Sequence, residues 1–257
     1  MDGVYWIAIF AVLLISIIFS MFGQGGGSLY TPILFLLGYT ALISVSTSLV
    51  LNLITAASAS IVYYRQKLID LKTAAAFIPG ICAGSLLGGA LGNFIDSTFL
   101  MWLFILFLFG AGARMIYTIT EKKKENEECP LRFSKAMYAT IVVFSFAVGI
   151  LSGLLGVGGG IIIVPFLLFL CKFPMKYSAG TVAFIVIFSS MFGVVGHSAF
   201  GGLNIELIVG AGIAVFIGAS IGARLTVRLR SAWIKVGFGL IMWVFAAQLI
   251  MKLTGVI

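Results

Sequence analysis

The stretch GQGGGSLYTP, Gly23–Pro32, returns as GVGGGIIIVP, Gly156–Pro165, 133 residues further along the chain. Each copy follows a long apolar run and opens one half of the sequence. A helix that stops at Gly23 or Gly156 leaves carbonyls free, and one that restarts after Gly27 or Gly160 leaves N–H groups free. In lipid such groups cannot stay unpaired, so this backbone must line a cavity or be buried in protein. The pattern is not a dinucleotide-binding fingerprint, because it follows an apolar run of membrane length and no βαβ unit surrounds it.

Lipid is the setting that composition demands. Of 257 residues, 61% are hydrophobic and 9% charged, and the mean hydropathy is +1.20. A soluble domain carries roughly a quarter charged residues. Runs such as Tyr5–Phe22 reach the ~20 residues that cross the hydrocarbon core. They are continuous rather than alternating, which argues against a transmembrane β-barrel and predicts an all-α, polytopic helical membrane protein. The net charge of +8 sits in short loops between apolar runs. It reads as an orientation signal, not as a nucleic-acid surface. Cys82, Cys129 and Cys171 show no CxxC spacing and give neither a disulfide framework nor a metal site. The first twenty residues lack a basic n-region and an A-x-A-type site, and read as a membrane segment rather than a cleaved signal peptide.

Glycine, proline and charge divide the chain into ten apolar pieces. They run at about 4–22, 28–38, 42–64, 73–92 and 98–118, then 136–155, 161–171, 178–200, 205–227 and 233–253. Eight are long; the second of each half would rise only ~16 Å as a helix, too little to cross alone. This predicts an N-terminal membrane repeat over 1–118 and a C-terminal one over 136–257, joined by a charged linker at 119–135 that holds EKKKENEECP, Glu121–Pro130. The halves align beyond the glycines: Ser48 meets Thr181 at the same offset, and Gly84 and Gly88 meet Gly218 and Gly222 one residue later. If every piece crosses, fifteen of the sixteen Lys and Arg residues, Arg114 and Arg224 among them, fall on one side, while Asp2, Asp96 and Glu206 fall on the other. The positive-inside rule then makes the linker cytoplasmic and puts both termini outside the cell membrane. Five crossings per half is odd, so the second repeat enters inverted. The alternative has four crossings per half with the glycine piece re-entrant. It would move Glu206 and His197 to the lysine side, and the charge split favours the ten-piece arrangement.

The restarting end of each helix carries about half a positive charge, and bare glycine N–H groups let an anion approach closely. Two inverted copies at the midplane would grip one anion from two sides, with Gly25, Gly26, Gly27 and Ser28 from the first and Gly158, Gly159 and Gly160 from the second. Paired, glycine-interrupted segments in two matching halves are the sequence mark of a secondary transporter that works by alternating access. An anion channel of the same fold is the alternative, separable by whether an imposed gradient drives the anion uphill. An enzyme would need a nucleophile–base pair or a metal cluster. One histidine and scattered cysteines offer neither, so no catalytic residue, metal or cofactor is expected. The partners expected are a small anion and the bilayer; homo-oligomerisation is left open.

Polar residues inside the apolar pieces extend the candidate site. Ser48, Asn52 and Thr55 share one helical face at spacings of four and three. Ser48 and Asn52, with Thr181 in the second half, are candidates to bind anion oxygens without burying a full charge. Serine and threonine in membrane helices often bond their own backbone or a neighbouring helix instead. His197, the only histidine, and Arg224, which follows the Gly218–Gly222 face, are candidate coupling residues.

The paired GQGGGSLYTP and GVGGGIIIVP, the block SAGTVAF at Ser178–Phe184 and the Gly84/Gly88 run resemble the TauE/SafE sulfite exporter family over nearly the whole chain. The resemblance implies a membrane transporter of small sulfur-containing or organic anions such as sulfite, sulfoacetate and thiosulfate. Gln24 and Ser28 stand where the second half has Val157 and Ile161, so the two breaks are not equivalent.

Overall fold

The computed structural model describes residues 2–36, 38–39, 41–91, 135–198 and 205–228, with ten single positions between 102 and 113 and between 240 and 251. Among them are eight helices: α1 (Asp2–Ser20), α2 (Gly27–Leu36), α3 (Ala41–Arg65), α4 (Leu71–Leu91), α5 (Lys135–Leu155), α6 (Gly160–Phe169), α7 (Met175–Ser198) and α8 (Ile205–Arg228). This corrects the reading of two five-segment inverted repeats: the described architecture has six helices of 19 to 25 residues and two of ten, eight rather than ten. The fifth and tenth pieces, the linker and Arg114 lie mostly or wholly outside the described residues. An apolar run records only that a segment avoids water; its length does not decide which runs become separate helices. Five helices, α3, α4, α5, α7 and α8, are long and apolar enough to cross a membrane, and the chain is a multi-pass membrane protein.

The central pair is α3 and α7. Their apolar windows are 67% and 61% buried, against 33% for α5 and 39% for α8, so α5 and α8 are the more peripheral helices. The polar residues follow this division, because a hydroxyl or amide within the bilayer needs protein around it. Ser44, Thr47, Ser48, Asn52 and Thr55 on α3, and Ser178, Thr181, Ser189 and Ser190 on α7, are all fully buried. Ser189 also joins α4 and α5 through Ser85 (2.9 Å) and Ser152 (2.8 Å).

Contacts fix the helix directions. Asn52 meets Ser190 while Gly180 packs on the Leu68 carbonyl, so α3 and α7 are antiparallel. Ile54 meets Gly212 and Ser58 meets Phe216 and Ser220, so α3 and α8 are parallel. Gly84 lies against the Phe146 carbonyl and Gly149, and Gly222 against the Ile17 carbonyl; a side chain at either would collide with backbone. Small residues thus let α4 approach α5 and α8 approach α1, the usual packing device where lipid supplies no hydrophobic drive.

The basic residues gather at one end as a result. Lys176 Nζ donates to the Val227 carbonyl (2.8 Å) and the Asp70 amide to Thr181 Oγ1 (3.0 Å). These bonds bring the last turns of α3 and α8 beside the first turns of α4 and α7, where Arg65, Lys72, Lys176 and Arg228 lie.

Candidate functional site

Each break begins by closing the helix before it. Gln24 N donates to Phe19 O (3.2 Å) and Val157 N to Ser152 O (3.3 Å), the six-to-one bond that satisfies carbonyls at a helix C-terminus. The chain then turns through left-handed backbone at Gly23 (φ 71°) and Gly25 (φ 72°), and in register at Gly156 (φ 71°) and Gly158 (φ 77°). Glycine is the residue that adopts this conformation without a Cβ clash. What stays open is the amide end of the short helix that follows.

The two breaks pack against each other reciprocally. Gly27 abuts the Gly156 carbonyl and Val157, and Gly160 abuts the Gln24 backbone. Ser48 Oγ lies between them, within 3.0 Å of Gly27 O and 3.3 Å of Gly156 O. Its single proton is therefore committed to the breaks' own carbonyls, and Ser48 ties them together rather than presenting a free donor.

Asn52 lies at the middle of α3 and separates the two amide ends chemically. Its Oδ1 accepts from Gly26 N (2.7 Å) and Gly27 N (3.1 Å), and its Nδ2 donates to Ser190 Oγ (2.9 Å). The same side chain occupies the space that a Cβ would need at Gly25 and at Gly158. The acceptor an anion would supply at the start of α2 is thus already built in. Displaced by 133 residues, the position of Asn52 is Ile185, a buried hydrocarbon. Accordingly Gly159, the residue before α6, has left-handed backbone (φ 73°) and no side-chain cap. Gln24, whose backbone abuts Gly160, is only 2% exposed and its Nε2 has no hydrogen-bond partner. No side-chain acceptor among the described residues meets the start of α6 as Asn52 meets that of α2.

Of the other residues singled out in the sequence, Ser28 is half-buried in the first turn of α2. Thr181 accepts from the Asp70 amide and serves the connection between α3 and α4. His197 is buried, and its Nε2 donates to Gly153 O (2.8 Å), three residues ahead of the second break. Arg224 lines an exposed groove between α3 and α8. The structure therefore joins the glycines, Ser48 and Asn52 in one cluster and sends Thr181 and Arg224 elsewhere. Sequence reasoning missed Ser190 as the partner of Asn52 and Gln24 as a buried unpaired donor. The mismatch of Asn52 with Ile185 was the signal available. Every residue of 22–27 and of 156–167 is buried, so both breaks are enclosed by protein.

The profile of the sulfite exporter TauE/SafE family matches residues 8–249 of this chain. The probable membrane transporter protein YunE of Bacillus subtilis is 26% identical over 254 residues, covering 90% of this chain and 92% of its own. A second Bacillus subtilis protein, the probable membrane transporter protein YdhB, is 26% identical over 85% of this chain and 89% of its own. Sulfite exporter TauE/SafE family protein 6 of Arabidopsis thaliana is 33% identical over 38% of this chain and 22% of its own. No solved structure matches the chain.

Proposed function

Because the chain belongs to the TauE/SafE sulfite exporter family, whose members are transporters and not enzymes, we propose that it exports a small sulfur oxyanion or organosulfonate. In this reading the anion binds at the amide end of α6 and crosses by alternating access. The asymmetry of the two amide ends carries the reading. At α2 the N–H groups of Gly26 and Gly27 are held by Asn52 Oδ1; no side chain among the described residues does the same at the start of α6, and the buried Nε2 of Gln24, whose backbone abuts Gly160, is unpaired. A buried donor left unpaired costs about 1–3 kcal/mol, so it calls for a guest that brings acceptors. A sulfur oxyanion brings negative charge and several oxygens to a positive dipole end. A cation would meet the positive end of the helix dipole there, and a neutral apolar guest would leave the Gln24 donor unpaired.

Enclosure of both breaks supports alternating access over an open channel, because the anion can reach a buried end only if the packed helices part. The gathering of Arg65, Lys72, Lys176 and Arg228 at one end supports a plasma-membrane orientation with that end cytoplasmic and the termini outside.

A thermal-shift screen of the purified protein tests the ligand class. Sulfite, thiosulfate, sulfate and sulfoacetate are run beside taurine, simple carboxylates and a chloride control. A ligand that binds only the folded form adds about 2.7 kcal/mol at a hundred times its Kd. Stabilisation by one or more sulfur oxyanions is expected; stabilisation by none of them rejects the site. In proteoliposomes, anion accumulation against its own gradient distinguishes a transporter from a channel.

A further inference from the structure

A second anion-selective feature lies away from the breaks, at the basic end. A groove of about 660 Å³ opens between the last turns of α3 and α8, within the ~300–1,000 Å³ of small-molecule sites. One stripe of α8 forms its wall at four-residue spacing: Phe216, Ser220, Arg224, Arg228. From α3 come Ile61 with Arg65, and Val62 with Gln66, again four apart and so on one face. Both walls grade the same way along the helices, from carbon to guanidinium. Phe216 and Ile61, 46% and 49% exposed, form the apolar half, and Arg65, Arg224 and Arg228 form the other. Among the described residues no carboxylate lines the groove and none of the three arginines has an ion pair.

Orientation in the membrane asks only that basic residues lie on one side. It does not ask three of them to converge on one cavity, where they repel one another unless an anion joins them. Arginine's planar fork matches phosphate oxygens in pairs. The apolar wall below, on a helix that also exposes Val209, Ile213 and Ile217, suits an acyl chain and adds nothing for a free inorganic ion. Serine hydroxyls brace the groove floor: Ser58 Oγ is 2.7 Å from Phe216 O and 2.8 Å from Ser220 Oγ, which keeps the two walls in register.

We propose that this groove binds the phosphate of an anionic phospholipid, with Arg65, Arg224 and Arg228 on the head group and Ile61 and Phe216 along the first carbons of its tail. Basic pockets between membrane helices on the cytoplasmic side are suited to such head groups. The site is independent of the glycine breaks and of what the protein transports.

The full chain, purified in detergent and freed of lipid, is titrated with phosphatidylglycerol, with phosphatidylcholine and with sodium phosphate, and bound species are counted by native mass spectrometry. One phosphatidylglycerol is expected to bind per chain in preference to phosphatidylcholine. The double variant R224Q/R228Q should bind it roughly thirtyfold more weakly, taking each basic residue at its usual worth near an anionic surface. Lys72 and Lys172 lie outside the groove lining, and K72Q/K172Q, which removes the same charge, should bind as the parent does. Melting temperatures in lipid-free detergent check that all variants are folded. Equal phosphatidylglycerol binding by the parent and R224Q/R228Q overturns the proposal, as does an equal loss in K72Q/K172Q. Arginine-dependent binding of phosphate alone, at the affinity of the lipid, overturns the lipid assignment and makes the groove a soluble-anion site.

Discussion

An Asn52→Leu protein is expected to lose both transport and a large part of its stability. Leucine has asparagine's heavy-atom count and its branching at Cγ but is the larger side chain, so crowding against Gly25 and Gly158 adds to the loss. What goes is the acceptor for Gly26 N and Gly27 N and the donor to Ser190. Two buried amides are stranded at about 1–3 kcal/mol each, at the place where the two breaks meet. The Asn52→Asp variant separates the two losses. A carboxylate still accepts hydrogen bonds from both amides, and the Ser190 hydroxyl, which accepts from Asn52 Nδ2 in the parent, can turn to donate to it, so the fold is retained. Its negative charge beside the α6 end repels an incoming anion, so transport stays low. Thermal unfolding in detergent and anion flux in proteoliposomes, measured on both variants, check the pair. Normal transport by Asn52→Asp would place the anion somewhere else.

Gln24→Leu is expected to show the opposite stability effect and the same functional one. The Gln24 Nε2 is buried without a partner, so removing it relieves a desolvation cost, and the unliganded protein should melt at the same temperature or higher. A hydrogen bond to a charged group is worth about 1.5–3 kcal/mol, which converts to roughly ten- to hundredfold in affinity. The anion concentration needed for stabilisation, and for half-maximal transport, should rise by that factor. A residue kept at a cost to stability is the mark of a functional position. If Gln24→Leu melts lower and transports normally, Gln24 is a packing residue and the unpaired amide has no role.

Backbone chemistry was the part of this molecule most open to sequence reading. Three glycines in each break, the ten-residue helices that follow, and the shared face of Ser48 and Asn52 are local consequences of residue type and spacing. The glycine stripes on α4 and α8 are packing surfaces, a role that steric size at four-residue spacing decides. The number of helices did not follow, since hydropathy measures apolar length and not which runs form separate helices. That the two breaks differ was legible in Gln24 and Ser28 against Val157 and Ile161, but the role of Asn52 in that difference was not. Gly26 and Asn52 are 26 residues apart, and Asn52 and Ser190 are 138 apart, so only the packed fold brings them together. His197 lies in the last turn of α7 and is buried there on the Gly153 carbonyl, a partner 44 residues away that spacing could not show. Of the groove at the basic end, the sequence carries only the four-residue spacing of Arg224 and Arg228. Arg65 joins them because α3 and α8 run parallel.

The position of a bound oxyanion tests the central claim most directly. Selenite is a congener of sulfite, and its selenium gives an anomalous signal in crystals grown with the ion. The account predicts one strong peak within hydrogen-bond reach of the Gly159 and Gly160 amides and the Gln24 side chain, and none at the Asn52-capped end of α2. A peak at α2 with Asn52 displaced, or ordered selenite at neither break, would contradict it.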